Sequence, residues 1–301
     1  GFVYWPENSH SDSLMLEFFT RNAWRPDTLT PEALLPVFCR DRYQAAAAPM
    51  LAAWLGALPL IKSHVELPPE FRNLATFAGR LVTPQRAGEM MAKCAKLEPQ
   101  MKVAPSLCRA LAELPYGMGN ALADRDVIDL ARTVAGRIFS YALYRYVAVQ
   151  GEWVRGKADA ADVKAAGGRC TAILTALRDI LALHDDYSMN ASMAKLQSIH
   201  PLNPCFEQTL KGNAENGYCR TYIYELCSEC YLPQLALYTK WVDERVTSGN
   251  TKSPMKPATA LPMKEIVDGF YAKPLREMAP RVPHTREAYR AVMGRLAETN
   301  W

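Results

Sequence analysis

The longest regular pattern in the sequence covers residues 124–150, DRDVIDLARTVAGRIFSYALYRYVAVQ. Apolar residues recur through it at the 3.6-residue period of an α-helix, on a wide stripe that predicts burial against other helices. A helix of this kind cannot bury its apolar face alone, so the stretch predicts a helical bundle around it. The stripe consists of Val127, Ile128, Leu130, Ala131, Val134, Ala135, Ile138, Phe139, Ala142, Leu143, Tyr146 and Val147.

Helical patterns continue on both sides of this stretch. A partner helix is predicted over about residues 159–184, because a short connection joins antiparallel neighbours. A further helix is predicted over about residues 218–246, with a kink near Pro233. Thr30 followed by Pro31 has the form of an N-cap and a first helical residue. No strand–helix–strand alternation is present, so the predicted fold class is mainly α, a multi-helix bundle-like domain.

The first residues differ from the rest of the chain. Residues 2–5, FVYW, are aromatic or β-branched, as in a short buried strand, and Pro6 ends the run. We expect residues 1–43 to be the strand and helix remnant of a (β/α) barrel, and residues 44–301 to be an all-α domain. The chain opens at Gly1 without an initiator Met or a signal sequence, so we interpret this position as an artificial or processed boundary.

Composition excludes several functional classes. The chain has 301 residues, of which 49% are hydrophobic, with a net charge of +4 and no long run of Lys or Arg. These features do not predict binding to nucleic acid or to a membrane surface. No apolar stretch approaches the ~20 residues of a membrane span, so we expect no membrane partner.

Two polar clusters are weaker candidates for chemistry. Cys227 and Cys230 form a lone CxxC, and zinc would need two more ligands, for which Cys219 and Cys205 are conceivable. We favour buried free thiols instead, and predict no metal and no cofactor. The HDD sequence at residues 184–186 is typical of a polar helix end.

The strongest candidate for catalysis is Glu7, which directly follows the strand-like run. Carboxylates at the C-terminal ends of barrel strands perform chemistry in barrel enzymes, and glycosidases use two of them. Trp5 is a candidate for stacking on a sugar, and Asn8 and His10 for hydrogen bonding to its hydroxyls. The alternatives are a solvated loop carboxylate, core packing of the tryptophan and ordinary turn chemistry.

Four segments, taken in order, resemble the α-N-acetylglucosaminidases of glycoside hydrolase family 89, and the spacing from Glu7 to Trp24 also matches. Gln44 replaces the family's Gly after the second segment, and Leu235 replaces a Trp in the fourth. The segments are residues 7–27, resembling a catalytic Glu followed by a helix ending in Trp-Arg-x-Asp; residues 34–43, resembling "ARRYG"; residues 126–132, resembling "YDLxDLTRQ"; and residues 231–235, resembling "YYxPRW".

The resemblance implies a retaining exo-glycosidase with a barrel followed by an all-α domain. It implies that Glu7 is the nucleophile and that the general acid lies on an earlier barrel strand, absent from this sequence. It also implies a terminal amino sugar or related glycan as partner, and a secreted, periplasmic or lysosome-like location. The family's sugar-lining loop corresponds to residues 211–218, shortened, which makes Tyr218 a further substrate-binding candidate.

A second hypothesis is a non-catalytic helical interaction or scaffold module of glycosidase ancestry. It follows from the absence of a barrel sequence and from the shortened loop at residues 211–218. Homo-oligomerisation is compatible with either hypothesis. Under the first hypothesis, the 301-residue chain holds one carboxylate of a catalytic pair and is expected to be inactive by itself.

Overall fold

The computed structural model describes residues 13–24, 29–63, 84–199, 205–215, 222–251 and 261–299. These ranges are mainly helical, and they contain no strand. The mainly α fold class is therefore confirmed for the part of the chain that is described. The strand predicted over residues 2–5 lies outside the described residues.

The helices of the described ranges differ greatly in length. Two 3₁₀ turns, Gln44–Ala46 and Asp185–Tyr187, and one π-helical turn, Cys227–Tyr231, connect some of them. The helices are α1 Ser13–Asn22, α2 Pro31–Tyr43, α3 Ala47–Lys62, α4 Pro84–Ala112, α5 Ala121–Val154, α6 Ala160–Leu181, α7 Met189–Ile199, α8 Cys205–Glu215, α9 Tyr224–Leu226, α10 Leu232–Thr247, α11 Met263–Ala272, α12 Leu275–Met278 and α13 Arg286–Glu298.

Helix α5 is the centre of the fold. Every residue of its predicted apolar stripe is buried, and the helix packs against α4 on one side and α6 on another. Helices α4 and α5 approach so closely at Gly151 that an added Cβ would lie 2.1 Å from Cβ of Ala87. The side chain of Asn120 caps α5 by accepting hydrogen bonds from the backbone N–H groups of Leu122 and Ala123.

The helix starts follow local sequence chemistry. The hydroxyl of Thr30 accepts a hydrogen bond from the backbone N–H of Ala33 at 3.2 Å, and Pro31 is the first residue of α2, as predicted. Asp159 and Asp162 form a reciprocal capping box at the start of α6. These caps satisfy donors that a helix start leaves free, which fixes where α2 and α6 begin.

Some helix limits differ from those that the sequence indicates. Proline is disfavoured inside a helix, and the sequence indicates a helix that ends near Lys96, but α4 continues through Pro99 and Pro105. Helices α7 and α8 were not predicted from the sequence. The helix predicted over residues 218–246 begins at Tyr224 in the described residues. The π-helical turn Cys227–Tyr231 lies just before Pro233, which has no N–H group to donate to the preceding turn.

Helices α2 and α3 form a nearly continuous run, Pro31–Lys62, which is long and apolar enough to cross a membrane by length and composition alone. It is the one such run in the described ranges, and the sequence prediction that no apolar stretch approaches this length was wrong. Met50, Trp54 and Leu60 of this run are buried in the core. Core helices of globular domains pass the same test.

The junction between α2 and α3 has an unusual backbone. Gln44 has φ of 50°, in the left-handed region that favours glycine, and it is the one non-glycine residue with positive φ in the described ranges. It stands where the resembling family motif has Gly. A glycine would adopt this conformation at lower cost than glutamine does.

Candidate functional site: the polar face of helix α5

The residues predicted to form the sugar site lie outside the described residues, so their roles stay predictions. Trp5, Glu7, Asn8 and His10 precede the first described residue, and Tyr218 lies between residues 215 and 222. Ser13 is the first described residue after residues 1–12, and Tyr222 is the first after residues 216–221. The contacts of Ser13 and Tyr222 therefore show which parts of the described structure these two residues adjoin.

Helix α5 carries a row of polar residues beside its apolar stripe. Successive members are three or four positions apart, which places them on one side of a helix. We call this row the polar face of α5. Its length of 18 residues between the first and last members corresponds to ~27 Å at the helical rise. The polar face consists of Asp126, Asp129, Thr133, Arg137, Ser140 and Tyr144.

Asp126 joins the polar face to α1 and α2. It is 1% exposed, and it forms an ion pair with Arg42 and accepts a hydrogen bond from the hydroxyl of Tyr43 at 2.9 Å. Arg125 pairs with its other oxygen at 2.9 Å. The hydroxyl of Ser13 lies 3.4 Å from the same carboxylate. Two resembling segments, residues 34–43 and 126–132, therefore meet at one buried charge.

Asp129 continues the charged row one turn later. Arg132 contacts it at 2.6 Å, and Arg125 lies 3.8 Å away. Burial alone would raise the pKa of Asp129, but the two guanidinium groups more than compensate and hold it below its ordinary value. Asp129 is therefore ionised at neutral pH and cannot act as a general acid. The guanidinium of Arg132 also lies over the ring of Tyr187, 5.2 Å from its centroid.

The predicted polar helix end at residues 184–186 borders this charged row. Asp186 contacts Arg125 at 3.4 Å and Lys195 at 3.0 Å. Burial lowers the pKa of His184, although Asp186 and Asp185 oppose the shift. The neutral ring accepts a hydrogen bond from the backbone N–H of Asp186 at 3.2 Å, so His184 caps the turn that follows it.

Arg137 occupies the middle of the polar face and differs from its neighbours. It is half-buried, its Nε is shielded from solvent, and that atom has no hydrogen-bond partner among the described residues. No hydrogen bond or ion pair joins Arg137 to a carboxylate of the described residues. Burial lowers its pKa, Tyr222 opposes this, and Arg132 adds repulsion.

The far part of the polar face adjoins Tyr222. The ring of Tyr222 would lie 3.1 Å from a Cβ added to Gly136, so the glycine allows this close approach. Tyr222 also makes edge-to-face contacts with Phe139, at 6.4 Å between centroids, and with Tyr231, at 6.3 Å. The chain that follows the segment containing Tyr218 is thus packed directly against α5, beside Arg137.

Glu225 ties this part of the chain to the start of α7. Its carboxylate accepts hydrogen bonds from the hydroxyl of Ser188 at 2.6 Å and from the backbone N–H groups of Met189 and Asn190 at 2.8 and 2.9 Å. Burial raises its pKa despite these donors. Glu225 is 0% exposed, so it positions α9 and α7 and does not reach a ligand.

The segment predicted to be a shortened sugar-lining loop is partly helical. Residues 211–215 belong to α8, and Lys211 is 0% exposed. Its ammonium group contacts Glu207 at 2.9 Å and donates to the backbone carbonyls of Tyr271 at 3.2 Å and Lys273 at 2.7 Å. For residues 211–215 the prediction of a loop was wrong, because these residues are helical and the buried ammonium of Lys211 holds α8 against α11.

The cysteines of the described core are buried thiols. Burial raises the pKa of Cys39, Cys94, Cys108 and Cys170 to about 12 and raises that of Cys227 further, which makes all of them unreactive at neutral pH. Within the described ranges, no three His, Cys, Asp or Glu residues are arranged to hold a metal ion. The prediction of no metal stays a prediction for the whole chain.

The polar face supplies binding groups and no free acid. Asp126 and Asp129 are engaged by arginines, whereas Arg137 and the hydroxyl of Thr133 have no described carboxylate partner. This face was not predicted from the sequence as a site. The signal that could have found it is the series of polar residues at three- and four-residue spacing within residues 126–144, beside the apolar stripe.

No family model matches the chain, and no curated protein and no solved structure matches it either. The class defined by the fold and the site is therefore a mainly α bundle with a polar face on its central helix.

Proposed function

We propose that the chain is the helical C-terminal portion of an exo-acting, retaining glycoside hydrolase similar to the α-N-acetylglucosaminidases of family 89. In this proposal Glu7 is the nucleophile, and the polar face of α5 is one wall of the sugar site. The general acid lies on a barrel strand supplied by sequence outside this chain. The partner is a glycan with a terminal amino sugar or a related residue, in a secreted, periplasmic or lysosome-like compartment.

The observation that carries the proposal is the position of Ser13 and Tyr222. Ser13 contacts Asp126, and Glu7 is six residues earlier, a distance of at most ~20 Å along an extended chain. Tyr222 contacts α5 at Gly136, and Tyr218 is four residues earlier, at most ~14 Å away. The two segments with predicted sugar-binding residues are therefore both within reach of the polar face.

The backbone at Gln44 gives independent support. The resembling motif ends in Arg-Tyr-Gly, and the corresponding residues here are Arg42, Tyr43 and Gln44. The positive φ of Gln44 is the conformation for which Gly is suited. Arg42 and Tyr43 both contact Asp126, which belongs to the next resembling segment. The residue types of Arg42 and Tyr43, the backbone geometry at Gln44 and the contact with Asp126 are thus consistent with the resemblance, although Gln44 itself replaces the glycine.

The proposal is tested by titrating N-acetylglucosamine into the 301-residue chain and by determining a structure of the complex. We expect the sugar to lie between Glu7 and the polar face of α5. Tyr218→Ala should weaken binding at least ~2-fold, because aromatic contacts contribute roughly 0.5–1.5 kcal/mol beyond burial. Phe206→Ala is the matched control, since Phe206 is an exposed aromatic residue at the start of α8.

Turnover supplies the second part of the test. An aryl α-N-acetylglucosaminide should not be hydrolysed detectably by the 301-residue chain, since one member of the carboxylate pair is missing. A longer natural protein containing both carboxylates should be active and should lose activity on Glu7→Gln but not on Glu17→Gln. Sugar bound far from Glu7, or turnover by the 301-residue chain, would contradict the proposal.

The second candidate function is a non-catalytic helical interaction or scaffold module of glycosidase ancestry. The burial of Lys211 favours it, because a wholly buried residue that ties two helices together is unavailable to line a sugar site. This alternative predicts that N-acetylglucosamine does not bind and that Glu7→Gln changes only surface charge. Failure to detect sugar binding at millimolar concentration would decide for it.

A further inference from the structure

We propose that Arg137 is the anchor of an anion-binding site on the polar face of α5, and that the ligand lying there carries a carboxylate or sulfate oxyanion on a sugar. The inference deepens the proposed function, on which it rests for the sugar part alone. The argument for the anion is independent of any glycosidase activity, because it depends on the charges of α5.

The arginines around this face have different partners. Arg42 and Arg125 both pair with Asp126, and Arg132 pairs with Asp129 at 2.6 Å. Arg137 has no such pair within the described ranges. The two carboxylates of the polar face are already engaged by other guanidinium groups, so no described acid on this face is left to neutralise Arg137.

The environment of Arg137 favours an incoming anion. Its Nε–H group is shielded from solvent and donates to no acceptor among the described residues, which is unfavourable for a polar group. An arginine remains protonated throughout the physiological pH range, so its positive charge persists although burial and Arg132 disfavour it. Hydrogen bonds to charged groups contribute roughly 1.5–3 kcal/mol, more than neutral ones, and an oxyanion would supply both the charge and the acceptor.

The groups around Arg137 favour a negatively charged sugar as the ligand. A guanidinium presents its donors in a planar fork that matches carboxylate and sulfate oxygens in pairs. Thr133 stands one turn before Arg137 on the same face and is half-buried, whereas Ser140 is buried and its hydroxyl donates to the carbonyl of Gly136. A neutral hydroxyl group beside one cation suits a ligand with hydroxyl groups and a single negative charge.

The experiment measures calorimetric binding of three probes to the 301-residue chain at constant ionic strength: D-glucuronate, D-glucose and sodium sulfate. We expect glucuronate to bind about tenfold more tightly than glucose, a difference that corresponds to one charge-assisted contact. Arg137→Gln should abolish this preference. Arg145→Gln should retain it, because Arg145 is an exposed arginine on the same helix. Arg137→Lys should retain only part of it, since the charge remains but the fork is lost.

The outcomes separate the two proposals. If sulfate binds through Arg137 and neither sugar does, the anion site is supported and the sugar wall fails. If glucose and glucuronate bind equally tightly, or if Arg137→Gln keeps the preference, the anion inference is overturned while the sugar wall survives. If none of the three probes binds, the anion inference is overturned. An unchanged urea midpoint for Arg137→Gln and Arg137→Lys establishes that the variants are folded.

Discussion

Two buried carboxylates, Asp126 on the polar face of α5 and Glu225 on α9, are stabilised in opposite ways. Asp126 is 1% exposed and contacts the guanidinium groups of Arg42 and Arg125. Glu225 is 0% exposed, and its described side-chain and backbone donors are neutral, the hydroxyl of Ser188 and two N–H groups at the start of α7. One carboxylate is compensated by full charges and the other by dipoles.

The difference decides what happens when either charge is removed. Neutralising Asp126 leaves Arg42 without a described counter-charge and removes one of the three acids that surround Arg125, which is the costly way to break a buried ion pair. Neutralising Glu225 removes a charge that burial already disfavours, as its raised pKa indicates. Equal burial of two acids therefore does not mean equal contributions of their charges to stability.

The largest expected effect is that of Asp126→Asn. We expect the free energy of unfolding to fall by about 3 kcal/mol, because Arg42 loses its described counter-charge, Arg125 loses one of its acids, and one carboxylate acceptor is replaced by an amide N–H₂. Urea unfolding followed by far-UV circular dichroism measures this. Asp41→Asn is the matched control, since Asp41 pairs with Arg40 at 2.8 Å on the surface and exposed pairs contribute roughly 0–1 kcal/mol. Equal costs for the two substitutions would contradict the ionic account of Asp126.

A smaller effect is expected for Glu225→Gln. The amide keeps one acceptor oxygen, so a single hydrogen bond at the start of α7 is lost, at a cost of about 1 kcal/mol near pH 7. The gain from removing a buried charge offsets part of that cost. Glu244→Gln, on the exposed side of α10, should change stability by less than ~0.5 kcal/mol. A loss at Glu225 as large as that at Asp126 would remove the distinction between the two sites.

The pH dependence of stability should distinguish the two kinds of carboxylate. The folded-state pKa of Glu225 is raised above 4.5, so the folded protein binds more protons than the unfolded chain above that pH. The stability of the native protein relative to Glu225→Gln should therefore be greatest below pH 4.5 and should fall as pH rises through the folded pKa. A difference that grows with rising pH would contradict this.

Asp129, in the ionic cluster, should show the opposite trend. Its folded-state pKa is lowered below 3.8, so the unfolded chain binds more protons at low pH. The stability that its charge contributes is present above pH 3.8 and is lost as pH falls through the folded pKa. Thermal unfolding of the native protein and Asp129→Asn between pH 3 and 8 measures this difference, and a flat difference would contradict it.

The sequence predicted the helices that depend on local patterns. The apolar stripe of α5 and the cap at Thr30 are encoded within a few residues, so period and residue type were enough to find them. Pro99 and Pro105 misled the prediction of α4, because proline disfavours a helix interior locally, while packing of α4 against α5 holds the helix together.

The polar face was harder to predict for a physical reason. Asp126 is 84 residues from its partner Arg42, and Glu225 is 37 residues from Ser188, so neither pairing leaves a short-range pattern. The resemblance placed residues 34–43 and 126–132 in order along the chain but did not imply their contact. The sequence could not predict that Arg137 lacks a partner among the described residues, because an acid anywhere in the chain could have supplied one.

The smallest expected stability effect is that of Arg137→Gln, which tests the middle of the polar face. Since Arg137 has no described ion pair to lose, we expect the free energy of unfolding to change by less than ~0.5 kcal/mol, as for a substitution that breaks no buried pair. Arg132→Gln, one turn away and paired with Asp129 at 2.6 Å, should cost at least ~2 kcal/mol. Urea midpoints of both variants, measured without added sulfate or sugar acids, make the comparison. A cost for Arg137→Gln equal to that for Arg132→Gln would mean that the charge of Arg137 is already balanced within the protein, and the argument for an anionic ligand would then fail with it.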